Sequence, residues 1–320
     1  MKPAYMGSRR ACQPLPALPA ALPPARLAAG ANPPRNRPAR NNRGAGFMQV
    51  IGLCRFSWPG VGGFQVEHDS LESRIAYLYA PERMEERFRT FETITLPPLK
   101  AQTDGDFTFL VVIGDSLPAR WRDRLMALLD DMPQAVVQAR GPGPHRQAMQ
   151  EAINAVRRDS RDPCLQFRMD DDDAVARVYV ERLRAAAQDL RALSRRHRHI
   201  AIDFNQGYIA RPGPGGIAAA PTTVPYTTAA LALMFKPDVP LSVMNFAHAK
   251  VAQNMPTVTF TGEDMMVRGH NEFNDSRQKK GIRPVKLTPL DARGEAHFRD
   301  IFAIDADHVR AAYAGISRRG

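Results

Sequence analysis

No run of about 18 apolar residues occurs in the chain, so no segment reads as a bilayer-spanning helix. Cysteine is scarce. The three present, Cys12, Cys54 and Cys164, form no CxxC pair and no metal-ligand spacing, which excludes a disulfide scaffold and a zinc module. Cys54 and Cys164 border apolar runs and read as small core residues, a usage that fits a reducing compartment. Acid is absent from residues 1–47, which carry Lys2, Arg9, Arg10, Arg26, Arg35, Arg37, Arg40 and Arg43. Of the net charge of +11 these supply eight, leaving +3 for residues 48–320. The body is only mildly basic, which argues against a nucleic-acid partner. The basic extension could make weak peripheral contact with an anionic lipid surface.

Residues 1–47 also lack a hydrophobic period and are rich in Pro, Ala and Arg. Such a stretch cannot bury enough to offset its ordering entropy, so a disordered extension is expected. Prolines and Arg26 interrupt the apolar core that a secretory signal needs. Met48 directly precedes the first strand pattern, so the extension need not be translated, and a cytoplasmic protein is expected.

Residues 48–204 have a clear period. Apolar runs at Val50–Phe56, Phe107–Ile113, Ala135–Gln138, Leu165–Met169 and His199–Phe204 read as strands. Amphipathic patterns at Pro81–Phe91, Ala119–Leu129, His145–Arg158 and Ala174–Arg196 read as helices. SWPGVGGF and GPGP are loops. This alternation predicts an α/β domain with a mixed, mostly parallel central sheet flanked by helices. From about residue 205, Gly, Pro and Thr with short apolar runs replace the alternation. One domain over 48–320 is expected, with 48–204 as a nucleotide-binding half and 205–320 as an acceptor-facing half.

The chemistry concentrates at Asp170, Asp171, Asp172 and Asp173, which directly follow the strand Leu165–Met169. In parallel sheets ligands sit outside the carboxyl ends of the strands. One or two acids there would serve a following helix dipole at ~0.3–1 kcal/mol each. Four adjacent carboxylates repel one another and invite a hard divalent cation, Mn²⁺ or Mg²⁺, with substrate phosphates completing its shell. A DDxxD motif fails, because position 174 is alanine, and the D-x-D-x-D-G spacing of an EF-hand is absent. Aspartates after the fourth strand suit a nucleotide-sugar transferase, where a cation bridges carboxylates and diphosphate.

At RFSWPG (55–60), LPPLKAQTDGDFTFLVVIGDSLP (96–118), QFRMDDDDAV (166–175), IDFNQGY (202–208) and VRGHNEFNDSR (267–277) the chain resembles GT-A glycosyltransferases, and more narrowly a bacterial family described as rhamnosyltransferases. The resemblance implies the GT-A fold and transfer of a sugar, by that name rhamnose, from a nucleotide-diphosphate donor to a saccharide or lipid-linked acceptor. It implies a DxD motif in one of two frames, 170/172 or 171/173, with Asp172 as main metal contact, Asp170 and Asp173 as further metal candidates, and Asp170 or Asp171 holding the ribose. It implies Arg55 and Asp115 in the nucleoside pocket and Arg146 near the donor phosphates. Arg168, which alternates with the acids, is expected to hold them in place. His270 becomes a late metal ligand, with His248 its competitor. Asn274, Asp275, Ser276 and Arg277 form a polar turn toward the donor, with Lys279 and Lys280 as added positive charge. Glu263 and Asp264 resemble the late acidic pair of inverting enzymes and are the candidate base, with Asp275 and Asp203 as competitors.

Two other functions fit the same sheet. A sugar-phosphate nucleotidyltransferase would carry a basic glycine-rich loop after the first strand, and SWPGVGGF has no Lys or Arg. A non-catalytic nucleotide- or carbohydrate-binding relative would bind donor without transfer or hydrolysis.

Overall fold

The computed structural model describes residues 48–62, 68–270 and 285–314. The extension 1–47 and the polar turn with Asn274, Asp275, Ser276, Arg277, Lys279 and Lys280 lie outside the described residues. The strands are β1 (Val50–Arg55), β2 (Thr108–Gly114), β3 (Ala135–Arg140), β4 (Cys164–Met169), β5 (Ala174–Val175), β6 (His199–Phe204), β7 (Gln206–Gly213), β8 (Gly216–Thr223), β9 (Leu231–Phe235), β10 (Thr257–Phe260), β11 (Met266–Gly269) and β12 (Thr288–Pro289). The α-helices are α1 (Leu71–Leu78), α2 (Pro81–Thr90), α3 (Leu96–Lys100), α4 (Ala119–Leu129), α5 (His145–Val156), α6 (Tyr179–Asp189), α7 (Arg191–Arg196), α8 (Val251–Asn254), α9 (Ala292–Phe302) and α10 (Ala306–Tyr313). A turn of π-helix, Phe91–Thr95, joins α2 to α3.

The central sheet has the order β10-β6-β9-β4-β1-β2-β3. Within it β9 runs antiparallel to β4 and β6, and the remaining pairings are parallel. A sheet covered on both faces needs strands apolar on both sides, which is why β1, β2 and β4 are near-continuous apolar runs. Val50, Cys54, Phe109, Val111, Leu165 and Phe167 pack into one core, and Ile51, Leu53, Leu110, Val112 and Cys164 into the other. Cys54 and Cys164 are both buried free thiols.

The expected single helix over Ala174–Arg196 is a correction. Ala174 and Val175 pair with β11 in a second sheet, β12-β8-β7-β11-β5, and the helix starts only at Tyr179. It breaks at Leu190, whose ψ of 12° leaves the helical region before α7. The two residues of β5 are too short to show strand alternation, so tertiary pairing decides their state. β7, β8 and β11 occupy the region that reads as irregular beyond residue 205. There Gly207 lets β7 approach β11, since a Cβ would stand 1.9 Å from the Met266 carbonyl oxygen. No helix among the described residues is long and apolar enough to cross a membrane.

Candidate active site at the carboxyl ends of the parallel strands

Asp170–Asp173 form a tight turn, with the Asp173 N–H donating to the Asp170 carbonyl at 3.2 Å. Packing assigns the four carboxylates different surroundings. Asp173 accepts from the Asp170 N–H at 3.1 Å through one oxygen and from the Gly269 N–H at 3.1 Å through the other. Asp171 is buried and ion-paired with Arg87 of α2. Asp170 stays accessible, its side chain 36% exposed, and accepts from Arg55 at 3.3 Å. Asp172 is buried against Gly269, where a Cβ would meet both its carboxyl carbon and its carbonyl oxygen at 2.5 Å.

The charges answer to these surroundings. Burial would raise Asp170, but Arg55, Arg87 and Arg168 outweigh it and hold the carboxyl below its usual range. Burial and then the other three aspartates push Asp172 well up. Burial and Asp170 push Asp173 up to about 7. A cation beside this turn would relieve the repulsion that raises Asp172.

The turn is held from behind. Thr95, in the π-helical turn, donates to the Asp173 carbonyl at 2.9 Å. Arg83, one turn before Arg87 on α2, donates to Ser57 at 3.1 Å and to the Leu78 carbonyl at 3.0 Å. Ser57 directly follows β1's loop entry and has φ of 51°, a left-handed conformation uncommon outside glycine. Arg87 and Thr95 brace the turn and Arg83 braces the loop at Ser57, contacts that the sequence did not disclose. The available signal was Arg83 and Arg87 spaced i, i+4 beside the apolar stripe Met84, Phe88.

The crevice is bordered by positive charge. Arg55, the last residue of β1, donates to His145 Nε2 at 2.7 Å, so that neutral ring carries its proton on Nδ1. Burial, then Arg55, Arg168 and Arg146, pushes His145 down to about 3. His145 opens α5 and was likewise not expected at the site; Arg146 beside it is exposed. Asp115 is exposed directly after β2, and its N–H donates to the Arg140 carbonyl at 3.1 Å. Arg168 makes no ion pair with the acids among the described residues, but its charge helps to hold Asp170 low, and its Nη1 stands 3.5 Å from the Met244 sulfur.

β11 separates the remaining candidates. Its end brings Gly269 against the acidic turn, and His270 follows, its N–H bonded to the Ala210 carbonyl at 2.9 Å. Glu263 and Asp264 precede its start at Met266, which is itself about 10 Å of strand away from Gly269. Glu263 forms a two-pronged pair with Arg182 on the exposed side of α6. Asp264 accepts from Gln206 at 3.0 Å and faces His297 Nε2 at 2.9 Å. The structure does not gather this acidic pair with the aspartate turn. Asp203, at the end of β6, is buried; it accepts from the Tyr226 N–H at 3.0 Å and the Thr259 hydroxyl at 3.1 Å. Among the described residues no three His, Cys, Asp or Glu side chains are assembled as a cation shell.

Residues 49–283 match the protein family described as "Putative rhamnosyl transferase". The chain belongs to that family. It is a glycosyltransferase-family chain, and its mixed, mostly parallel sheet flanked by helices is the GT-A-type architecture expected. No curated protein matches it. Among solved structures it is similar to Staphylococcus aureus TarS residues 1–349, at 8% identity and a TM-score of 0.38, covering 70% of this chain and 60% of that one. The same fragment in complex with UDP-GlcNAc matches with 8% identity, a TM-score of 0.38 and coverage of 72% and 60%. A "putative nucleotide-diphospho-sugar transferase" from Desulfovibrio desulfuricans G20 matches at 13% identity and a TM-score of 0.30, covering 70% of this chain and 82% of that one. The chain thus spans 60% of the length of the S. aureus fragment.

Proposed function

We propose that this family member transfers a sugar, rhamnose by the family's description, from a nucleotide-diphosphate donor to a saccharide or lipid-linked acceptor. The donor would lie over the carboxyl ends of β1, β2 and β4 in a domain comprising residues 48–320, with the cytoplasm as the setting. The observation that carries this reading is the division of labour in the acidic turn. Asp171 is committed to Arg87 and Asp173 to two backbone N–H groups. Asp170 is the accessible member, and Asp172 is pushed up first by its burial and then by the other three carboxylates. We therefore place Mn²⁺ or Mg²⁺ at the accessible Asp170, with Asp172 as the second member of that frame.

Two carboxylates of one turn are the donors proposed for such a cation, with His270, directly after the adjoining strand, as a further candidate that is not gathered with them into a three-group shell among the described residues. Hard divalent ions are commonly held by one or two carboxylates plus phosphate oxygens and water. When bound, the ion would supply positive charge for the departing nucleotide diphosphate. The chain's own contribution is orientation. Arg55 holds Asp170 and braces on neutral His145. Arg146, exposed at the first turn of α5, offers charge to donor phosphates. Asp115 is available to the nucleoside from the end of β2.

A thermal-shift series of the whole chain with dTDP, UDP, GDP and CDP, with and without Mn²⁺, tests the reading. A ligand at a hundredfold excess over Kd should stabilise by about 2.7 kcal/mol. The expected outcome is a cation-dependent shift with one nucleotide, abolished in Asp172→Asn. Absence of any nucleotide shift rejects the donor site.

A further inference from the structure

The central sheet ends on β3, and among the described residues no strand pairs its outer side. Hydrogen bonds at its two ends set the parity. The Gln134 carbonyl accepts from the Phe109 N–H at 2.8 Å and the Arg140 carbonyl from the Asp115 N–H at 3.1 Å, so the even-numbered residues bond to β2. The N–H and C=O groups of Val137 and Ala139 therefore point outward, as does the Ala135 carbonyl. The Ala135 N–H is already bonded to the Met132 carbonyl at 2.9 Å. An open edge is a template for another strand, and proteins blunt it with proline, lysine, a bulge or a very short strand. β3 reads AVVQAR over six residues, keeps unbroken register with β2, has no proline and carries charge only at its last position. The opposite edge of the sheet, β10, has four residues directly after Pro256.

Exposed apolar side chains flank this edge on both faces. Gln138 donates to the Ala152 carbonyl of α5 at 3.3 Å, so the even-numbered side chains lie on the α5 face, and Val136 among them is exposed. α4 covers the other face, where Leu125 and Leu129 share a core with Ala135 and Val137. Its Arg124 turns inward, pairing with Glu85 of α2 at 2.8 Å and lying over the Phe88 ring. Met126 stands about 200° further round the helix, so it projects from the outer flank, where it is exposed. Charge also has a direction along this segment. The exposed pair Asp130 and Asp131 precedes β3, and Arg140 ends it.

We propose that β3 is a dimerisation edge and that its occupant is β3 of a second copy of this chain, antiparallel about a two-fold axis at Val137. The Val137 residues of the two copies exchange N–H···O=C bonds, and each Ala139 N–H donates to the other copy's Ala135 carbonyl. Only the Ala139 carbonyl is left to water, because the N–H opposite it is already bonded. This pairing sets each Arg140 beside the other copy's Gln134 and toward its Asp130–Asp131 turn, so opposite charges meet at both ends; parallel pairing would align like charges. The contact is isologous and consumes both edges, so assembly stops at the dimer. The carboxyl ends of the two sheets then point in opposite directions, and each aspartate turn is complete within one chain. The inference does not rest on the glycosyl-transfer reading.

Sedimentation velocity and light scattering of the whole chain, from about 1 to about 100 µM, test it. The expected mass at the upper end is that of two chains, with no larger species. Ala139→Pro removes an outward N–H and leaves the β2 ladder intact, as proline on an edge strand allows. Val136→Lys places a charge on the flank, outside the core. Each should raise the dimer Kd at least tenfold, whereas Val224→Lys, at an exposed apolar residue between β8 and β9, should stay within threefold. Urea denaturation at about 1 µM reports whether each variant is folded; if Ala139→Pro is not, Val136→Lys carries the test. A chain that stays monomeric at about 100 µM overturns the proposal. So does a dimer that survives the folded edge variants, an equal loss in Val224→Lys, or a mass that keeps growing with concentration.

Discussion

Gly269 is small because Asp172 occupies the space where a side chain would begin. A Cβ there would stand 2.5 Å from the Asp172 carbonyl oxygen, a backbone atom that cannot swing aside. Gly269→Ala must therefore push β11 off the acidic turn and strain the Gly269 N–H to Asp173 bond. The expected loss is roughly 1–3 kcal/mol, the range for overpacking, read from urea denaturation. Asp203 gives a second residue-scale prediction. Burial raises its carboxyl to about 6, against hydrogen bonds from Tyr226 and Thr259 that lower it. The folded chain keeps this proton where the unfolded chain has released it. Its contribution is fully present below about pH 4, falls as pH rises, and is lost above about pH 6. At about 1.36 kcal/mol per pH unit the span is roughly 3 kcal/mol. Asp203→Asn can still accept from the Tyr226 N–H. Its stability measured from pH 4 to 7 should lack this part of the parent's decline; parallel curves for the two proteins would refute the assignment.

At the scale of elements, the acidic turn depends on a defect in a helix. Widening at Phe91–Thr95 sets Thr95 under Asp173, while Arg87 reaches Asp171 from the α-helical part just before it. Single π-turns of this kind are frequent at functional sites. Thr95 is fully buried, so Thr95→Val leaves the Asp173 carbonyl short of a donor and should cost about 1–2 kcal/mol, whereas Thr95→Ser should recover most of it. Equal stabilities for the two variants would show that the hydroxyl does not hold the turn. β1, β2, β4 and β6 were legible because buried parallel strands are written as continuous apolar runs between helices. β5, β7, β8 and β11 were not. Their pairing is decided across the second sheet, and β8 reads GIAAAPTT, with too little β-branched patterning to announce a strand. The acidic run was legible as a site because its position after β4 carries the information. The separate fates of its four members were not, since they depend on Arg87, Thr95 and Gly269, which are distant in sequence.

For the molecule as a whole, the basic charge and the folded body are different matters. The first 47 residues hold eight cations and no acid, while 48–320 carry only +3. The body is anchored from its first described residues. The Met48 carbonyl accepts from Arg184 at 3.2 Å, the Gln49 amide donates to the Val156 carbonyl at 2.9 Å, and the Gln49 carbonyl accepts from the Leu165 N–H at 2.8 Å. Gln49 also accepts from the Arg158 N–H at 2.8 Å, closing β1's start onto α5 and β4. A chain begun at Met48 should therefore match the full chain in denaturation midpoint and in the steepness of unfolding, because that slope follows the surface exposed. What it should lose is salt-sensitive adhesion to polyanions, since eight cations clustered in sequence act over about 10 Å at 0.1 M salt. Vesicles containing phosphatidylglycerol should retain the full chain at low salt and release it as salt rises, and should retain the shortened chain much less. A shortened chain that melts at a lower denaturant concentration would mean that residues before Met48 complete the fold. Equal retention of the two chains would move the source of adhesion from the extension to the body.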